Sequence, residues 1–326
     1  MRGLLFKYGY AFKVHRLFKP KRSGNPVTVL CLHRVNTCTD RLFPSLKPET
    51  FNKLVRLLKK EYEITSFSSI NSGGITFNSK RPPLVISFDD GYKDFAEYCM
   101  PIIRKENIPV NHNIVINCAE TGQLIWTQRL NNLVAFLSDQ NNELSIGLDD
   151  LSFHRNAGFD MLGAKRAFTQ LLFSRPYSFI EKILDLLEKK YSFEQPLREM
   201  MTWDEIISCA REGVEIGSHT ITHASLAENF GEAYFKHEIE ESKRVLEEKL
   251  KLPVESIAFP NGLAHPVAYE TAVNAGYKNI LLIDGVKYDF DLRSDVIKSY
   301  KRILVGHPSP YEEMFNISGF HKLLHR

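Results

Sequence analysis

Two short runs of this chain hold the side chains best suited to chemistry: Ser87-Phe88-Asp89-Asp90-Gly91-Tyr92 and Gly217-Ser218-His219-Thr220-Ile221-Thr222-His223. Together they offer two carboxylates and two imidazoles. Two histidines and one carboxylate commonly hold a zinc-type divalent ion with a position open for water, and a further carboxylate is then free to accept a proton. The set points to a metal-dependent hydrolase. Each run alone says less, because Asp-Asp-Gly is also an ordinary turn signal after a strand. The i, i+4 spacing of His219 and His223 sets both rings on one face of a helix. Thr220 stands where a metalloprotease would carry Glu, which argues against that class.

These side chains need elements to position them. The run Pro83-Leu84-Val85-Ile86-Ser87-Phe88 is nearly continuous, apolar and β-branched, as in a parallel strand buried on both faces. Asp89 and Asp90 then sit at its carboxyl end, where barrels and open α/β sheets build their sites. A turn starting at Gly91 lets both neighbouring carboxylates enter one pocket. Further strand-like runs fall at 27–32, 110–116, 214–216, 256–259 and 279–283. Amphipathic helices are predicted at 51–62 and 235–250, the second with Ile239, Val245, Leu246 and Leu250 inward and its Glu, Lys and Arg outward. Alternating strands and helices give an α/β chain with a mainly parallel sheet.

Several segments read together resemble one family. The Ser-Phe-Asp-Asp-Gly-Tyr run, Met201-Thr202-Trp203-Asp204-Glu205, and the stretch from Gly213 through His223 to Leu226 resemble the polysaccharide deacetylase superfamily, carbohydrate esterase family 4. Leu30-Cys31-Leu32-His33-Arg34-Val35 is similar to the "YHRV" strand that opens one branch, Phe259-Pro260-Asn261-Gly262 to its "YPYG" loop, and Lys301-Arg302-Ile303 to its late "PRI" segment. The resemblance implies a deformed (β/α) barrel over 27–305, with a basic segment at 1–26 before it and a tail at 306–326 after it. It makes Asp89 the general base, and Asp90, His219 and His223 the ligands of a divalent metal, most simply zinc. Pro260 and Asn261 form the substrate and oxyanion loop, the Asn261 N–H facing the charge that develops on an attacked carbonyl oxygen. The departing amine needs a proton, for which histidine is suited; the branch implies His33, and His307 in Val305-Gly306-His307-Pro308 is the rival. The family's third motif lacks its Arg here, and Arg302 from the last barrel strand is expected to take over, orienting Asp89 and keeping it ionised.

The stretch between Asp90 and His219 exceeds one barrel unit, so residues 117–200 read as an inserted helical cap. It carries an apolar stripe at Leu130, Leu133, Val134 and Leu137, a polar, turn-rich part at 141–163 and an amphipathic helix at 180–187. Trp126 within it is available to stack on a sugar face.

A net charge of +3 and the absence of a basic motif with interleaved aromatics exclude nucleic acid as the expected partner. Five cysteines without a Cys-x-x-Cys pair argue against a disulfide framework and for a reduced, cytoplasmic setting. Residues 1–22 hold seven Lys or Arg, no Asp or Glu, and many apolar side chains broken by charge. That pattern fits neither a signal peptide nor a membrane span; it fits a helix packed on the barrel or a peripheral contact with the inner face of an anionic membrane. The expected function is a metal-dependent N-deacetylase releasing acetate from an N-acetylated sugar of a glycan or glycolipid precursor. The same site on another non-peptide amide, or a silent carbohydrate-binding protein, are the alternatives.

Overall fold

The computed structural model describes residues 2–18, 27–38, 40–74, 81–283 and 298–320. Its strands, in chain order, are β1 (Thr28–Leu32), β2 (Glu63–Ile64), β3 (Pro83–Phe88), β4 (Asn111–Ile114), β5 (Leu144–Leu148), β6 (Leu151–Arg155), β7 (Glu215–Ser218), β8 (Ser256–Ala258), β9 (Asn279–Ile283) and β10 (Lys298–Leu304). Seven of them, in the order β1, β3, β4, β7, β8, β9, β10, form a closed parallel barrel, and β2 extends the start of β3. Closure comes from β1, which pairs with β3 from Thr28↔Leu84 to Leu32↔Phe88 and with β10 at Leu30↔Ile303. This is the deformed (β/α) barrel the sequence leads one to expect. All seven carboxyl ends face one way, so the residues after Leu32, Phe88, Ser218 and Ala258 meet at one mouth, beside Arg302 and Leu304 of β10.

Alternation along the strands decides which side chains look inward. Leu30, Leu32, Leu84, Ile86 and Phe88 belong to the large apolar core shared with the surrounding helices. The intervening Val29 and Val85 join Ala258, Leu281, Phe67 and Ile70 in a smaller cluster. Further along the same faces the lining is polar: Ser87 Oγ donates to Asn111 Oδ1 at 2.8 Å, Asn111 Nδ2 to Ser256 Oγ at 3.1 Å and Asn113 Nδ2 to Ser87 Oγ at 3.0 Å. A β-carbon at Gly217 would come within 2.2 Å of Asn113 Oδ1 and 2.5 Å of Ser256 Oγ, so only glycine fits there. Asp89 continues the inward face of Val85 and Ser87.

The helix expected at 51–62 spans Pro48–Glu61 and buries Phe51, Leu54, Val55, Leu57 and Leu58. The one expected at 235–250 runs as Glu232–Lys236, a wider π turn at His237–Glu241, and Ser242–Leu250. The insertion has its own apolar core, built by helices Trp126–Asp139, Met161–Phe173 and Tyr177–Lys190 and by the antiparallel hairpin β5–β6. That hairpin corrects the reading of 141–163 as turns. Its signal is the alternation of Leu144, Ile146 and Leu148 against Leu151 and Phe153, short enough to be hidden among polar neighbours.

The N-terminal helix Arg2–Ala11 and the following 3-10 turn Val14–Phe18 pack on the late helix Pro310–Ile317. Phe6 meets Phe315 edge to face at 5.1 Å, and Arg16 binds Glu61 at 2.8 Å. Residues 1 and 19–26 of the expected basic segment, and 321–326 of the expected tail, lie outside the described residues. No helix among the described residues is long and apolar enough to cross a membrane.

Candidate active site

The reactive groups collect where the strands end. Asp89 follows β3 and is buried, and Arg302, wholly buried on β10, grips it: Nη1 donates to Asp89 Oδ1 at 2.7 Å and Nη2 stands 2.7 Å from Oδ2. Asn113 Nδ2 also donates to Oδ1 at 2.8 Å, and the Cys31 thiol to Oδ2 at 3.4 Å. Burial alone would raise the Asp89 pKa, but the Arg302 and His219 charges outweigh it and hold the carboxyl well below the usual carboxylate range. Asn113 carries no sequence motif; it is one of three polar residues in the four-residue strand Asn111–Ile114. The turn that presents both aspartates begins one residue earlier than expected, since Asp90 itself has φ 78° and Gly91 φ 88°. This left-handed step swings Asp90 out of the strand alternation and lets it share the mouth with Asp89.

His219 and His223 arrive on a loop after β7, not on a helix: Thr220 has φ 70° and His223 φ 60°, which no helix tolerates. The rings still converge, with centroids 4.9 Å apart. His219 Nδ1 donates to the Ala258 carbonyl at 2.7 Å, which leaves Nε2 as the free lone pair, 3.3 Å from Asp90 Oδ1. His223 Nε2 lies 3.4 Å from the same oxygen. Burial pushes the His223 pKa down to about 4, keeping it the neutral imidazole a metal needs, whereas the neighbouring aspartates raise that of His219 against the pull of its own burial. Both rings thus present Nε2 to Asp90.

Two buried groups clamp this loop. Glu238 accepts the Ile221 and Thr222 N–H groups at 3.0 Å each and the Thr222 hydroxyl at 2.6 Å. It was expected to face outward with the other charges of its helix, but it is only 1% exposed, because the π turn at His237–Glu241 shifts the helix face inward there. Trp126 donates its indole N–H to the His223 carbonyl at 2.9 Å and is 1% exposed. The stacking role on sugar is therefore corrected: a ring with no free face holds the loop instead.

Asp90 Oδ1 and the two Nε2 atoms lie within 4.8 Å of one another. Asp90 Oδ1 is buried with no hydrogen-bond partner among the described residues, an arrangement that is costly unless a cation meets it. Two imidazoles and a carboxylate with one side open suit a divalent ion of zinc type, so Asp90, His219 and His223 fit such a group. His33, just beyond β1, has a ring nitrogen within the same 4.8 Å of an Asp89 oxygen, and Phe43 packs edge to face on it at 5.3 Å. His307 stands apart, with Nε2 3.2 Å from Glu312 Oε2 at the start of the late helix, and takes no place at the mouth. Asn261, in the left-handed region at φ 57°, lines the mouth, with Pro260 buried behind it. The pocket over these groups has a volume of about 580 Å³ and one wall from the insertion.

Residues 175–280 match a family model described as polysaccharide deacetylase. The matched stretch holds His219, His223 and Asn261; Asp89 and Asp90 precede it. No curated protein matches the chain. Among solved structures, the Streptococcus pyogenes deacetylase PplD in complex with acetate is 15% identical, with a TM-score of 0.58 over 89% of this chain and 97% of that one. IcaB from Ammonifex degensii is 16% identical, with a TM-score of 0.55 over 91% and 98%. A de-N-acetylase from Aggregatibacter actinomycetemcomitans is 15% identical, with a TM-score of 0.51 over 89% and 99%. At such identities these likenesses speak for the barrel, which they share almost end to end. The stretch that resembles the polysaccharide deacetylase family carries both histidines of the mouth, and the barrel around them is the one these deacetylase structures share.

Proposed function

We propose that this protein is a metal-dependent N-deacetylase that hydrolyses the acetamide of an N-acetylated sugar in a polysaccharide, oligosaccharide or lipid-linked glycan precursor, releasing acetate. The observation that carries the proposal is the pairing, at one mouth, of an Asp-His-His set suited to a metal with a second carboxylate fixed by a buried arginine. A divalent ion held by Asp90, His219 and His223 would supply Lewis acidity and make a water easier to deprotonate.

The remaining work falls to the chain. Asp89 accepts the proton of the attacking water, whose oxygen bonds to the acetamide carbon. Arg302 keeps that carboxylate ionised and in place at some expense of basicity. The carbonyl oxygen gains negative charge, for which the Asn261 N–H is the assigned donor. The C–N bond then breaks as His33 delivers a proton to the amine, leaving a free amino sugar and acetate.

The proposal extends to where the protein acts. Leu4, Leu5, Tyr8, Phe12 and Leu17 are each more than half exposed, on a segment with no acidic residue. Such a surface suits peripheral contact with the inner face of an anionic bilayer, in a cytoplasmic setting, and a lipid-linked substrate. Sedimentation with anionic vesicles should capture the wild type and lose a Leu5→Asp, Phe12→Asp variant; equal capture of both would refute the contact.

The test of the reaction is acetate release from a panel of N-acetylated saccharides and lipid-linked sugars, with chelator and with added zinc. Chelator-sensitive release is expected. Asp89→Asn should retain metal and lose on the order of 10²–10⁴-fold in turnover, whereas His219→Ala should lose the metal itself. No release across the panel from metal-loaded protein would overturn the reading in favour of another amide or a binding role.

A further inference from the structure

The insertion gives the pocket a wall with a charge of its own. Helix Met161–Phe173 buries Ala164, Phe168 and Leu172 in the insertion core. The next face round, at Leu162, Lys165, Arg166, Thr169, Gln170 and Phe173, lines the same pocket as Asp89 and the two histidines. That face carries two cations and no acid. Lys165 is half-buried, its ammonium donating only to the Leu42 carbonyl at 3.2 Å, and Arg166 is exposed; neither makes an ion pair among the described residues. The acid that acts on Lys165 is Asp40, whose oxygens already accept from the Leu42 N–H at 2.8 Å, the Phe43 N–H at 2.9 Å and Gln128 Nε2 at 2.8 Å. Burial lowers the Lys165 pKa and Arg166 pushes the same way, which is the behaviour of a cation short of a counter-ion. Inside the pocket Asp89 is already matched by Arg302, and Asp90 faces the metal set.

We propose that Lys165 and Arg166 bind an anionic group, a carboxylate or a phosphate, on the glycan beside the acetamide, so that the preferred substrate is an acidic N-acetylated sugar. A half-buried lysine and an exposed arginine on a wall otherwise made of hydroxyl, amide and apolar groups give such an anion charge-assisted hydrogen bonds that a neutral sugar cannot use. The assignment of the acetamide rests on the deacetylase reading; the anion site does not.

The experiment separates the two. Calorimetric binding to the full-length Asp89→Asn protein would compare chitobiose, a disaccharide of N-acetylglucosamine and glucuronic acid, and N-acetylglucosamine 1-phosphate. The carboxylate or the phosphate probe, whichever matches the natural group, should bind about tenfold or more tightly than chitobiose, with a preference that fades as salt rises. Arg166→Ala, a change at an exposed side chain that leaves the fold intact, should cut that preference several-fold, and Lys165→Met should do so again. Equal binding of all three probes, or a preference untouched by both substitutions, would overturn the anion site. Preferential anion binding by a protein that releases no acetate from any substrate would uphold the site and sink the deacetylase reading instead.

Discussion

Replacing Arg302 by Met tests the link between barrel closure and the proposed base. Arg302 is wholly buried and its guanidinium supplies both close cationic contacts of Asp89, at 2.7 Å each. Met fills most of the space but removes the charge, leaving a carboxyl that is itself 1% exposed. Breaking a buried pair from one side costs about 3–5 kcal/mol. At about 2–4 °C per kcal/mol, the low end suiting a chain of this size, Tm should fall on the order of 5–10 °C at neutral pH. The pH dependence gives the sharper signature. In the wild type the Asp89 pKa is lowered, so the pair stabilises above the unfolded carboxyl value, about 3.9, and that contribution fades as pH drops. In the variant burial is left unopposed by Arg302 and the pKa rises, so folding is penalised above the unfolded value and relieved as the carboxyl protonates. The Tm gap between the two proteins should therefore narrow steadily from pH 8 to pH 4. Differential scanning fluorimetry across that range measures it, and the acid limb of acetate release should move up in parallel. Asp89→Asn in the Arg302→Met background should recover part of the lost stability, because it removes the stranded charge. A gap that stays constant with pH, or a double variant no more stable than Arg302→Met, would refute the reasoning.

Three further outcomes concern the two clamps around the loop and the close packing at Gly217. Glu238→Ala should lower metal content by elemental analysis and lower Tm, because three hydrogen bonds at the 219–223 loop lose their acceptor; Glu238→Gln, which keeps the shape and at least one acceptor, should lie between it and the wild type. Trp126→Phe, which spares the ring and deletes the N–H to the His223 carbonyl, should weaken metal binding about 10-fold or more by competition with a chromogenic chelator, as loss of a supporting contact does; a change in sugar KM with metal affinity intact would restore the stacking role. Gly217→Ala should destabilise by about 1–3 kcal/mol in chemical denaturation, through overlap with Asn113 and Ser256, and should slow acetate release because Asn113 also holds Asp89.

Legibility in the sequence followed locality. Asp89, Asp90, His219 and His223 stand in compact runs beside strong strand signals, so their meeting at one mouth could be anticipated from residue type and position. Arg302 could be anticipated because the family motif lacks its arginine and something must offset a buried Asp89. Glu238 could not: on helical periodicity it belongs to the outer face, and only the π turn brings it inward. Trp126 was equally opaque, since an aromatic that stacks on sugar and one that donates to a carbonyl look identical in a sequence. Asn113 is one of three polar residues in the four-residue strand β4, and nothing local marks it out to meet Asp89; the β5–β6 hairpin was masked by the Asn, Asp and Ser around its short apolar alternation. The hairpin apart, what failed was long-range: Glu238, Trp126 and Asn113 each meet residues that no local pattern names as partners.

The ring closes between its first and last strands, and the guanidinium that tunes Asp89 comes from the last, 213 residues further along. During synthesis on a ribosome the aspartate pair emerges early and must wait, with its carboxyl uncompensated, until nearly the whole chain has been made. A product ending before β10 would thus leave Asp89 without its arginine and the ring without the strand between β9 and β1. The proposed base is in this way tied to barrel closure, since Asp89 gains its arginine only once β10 has docked beside β1.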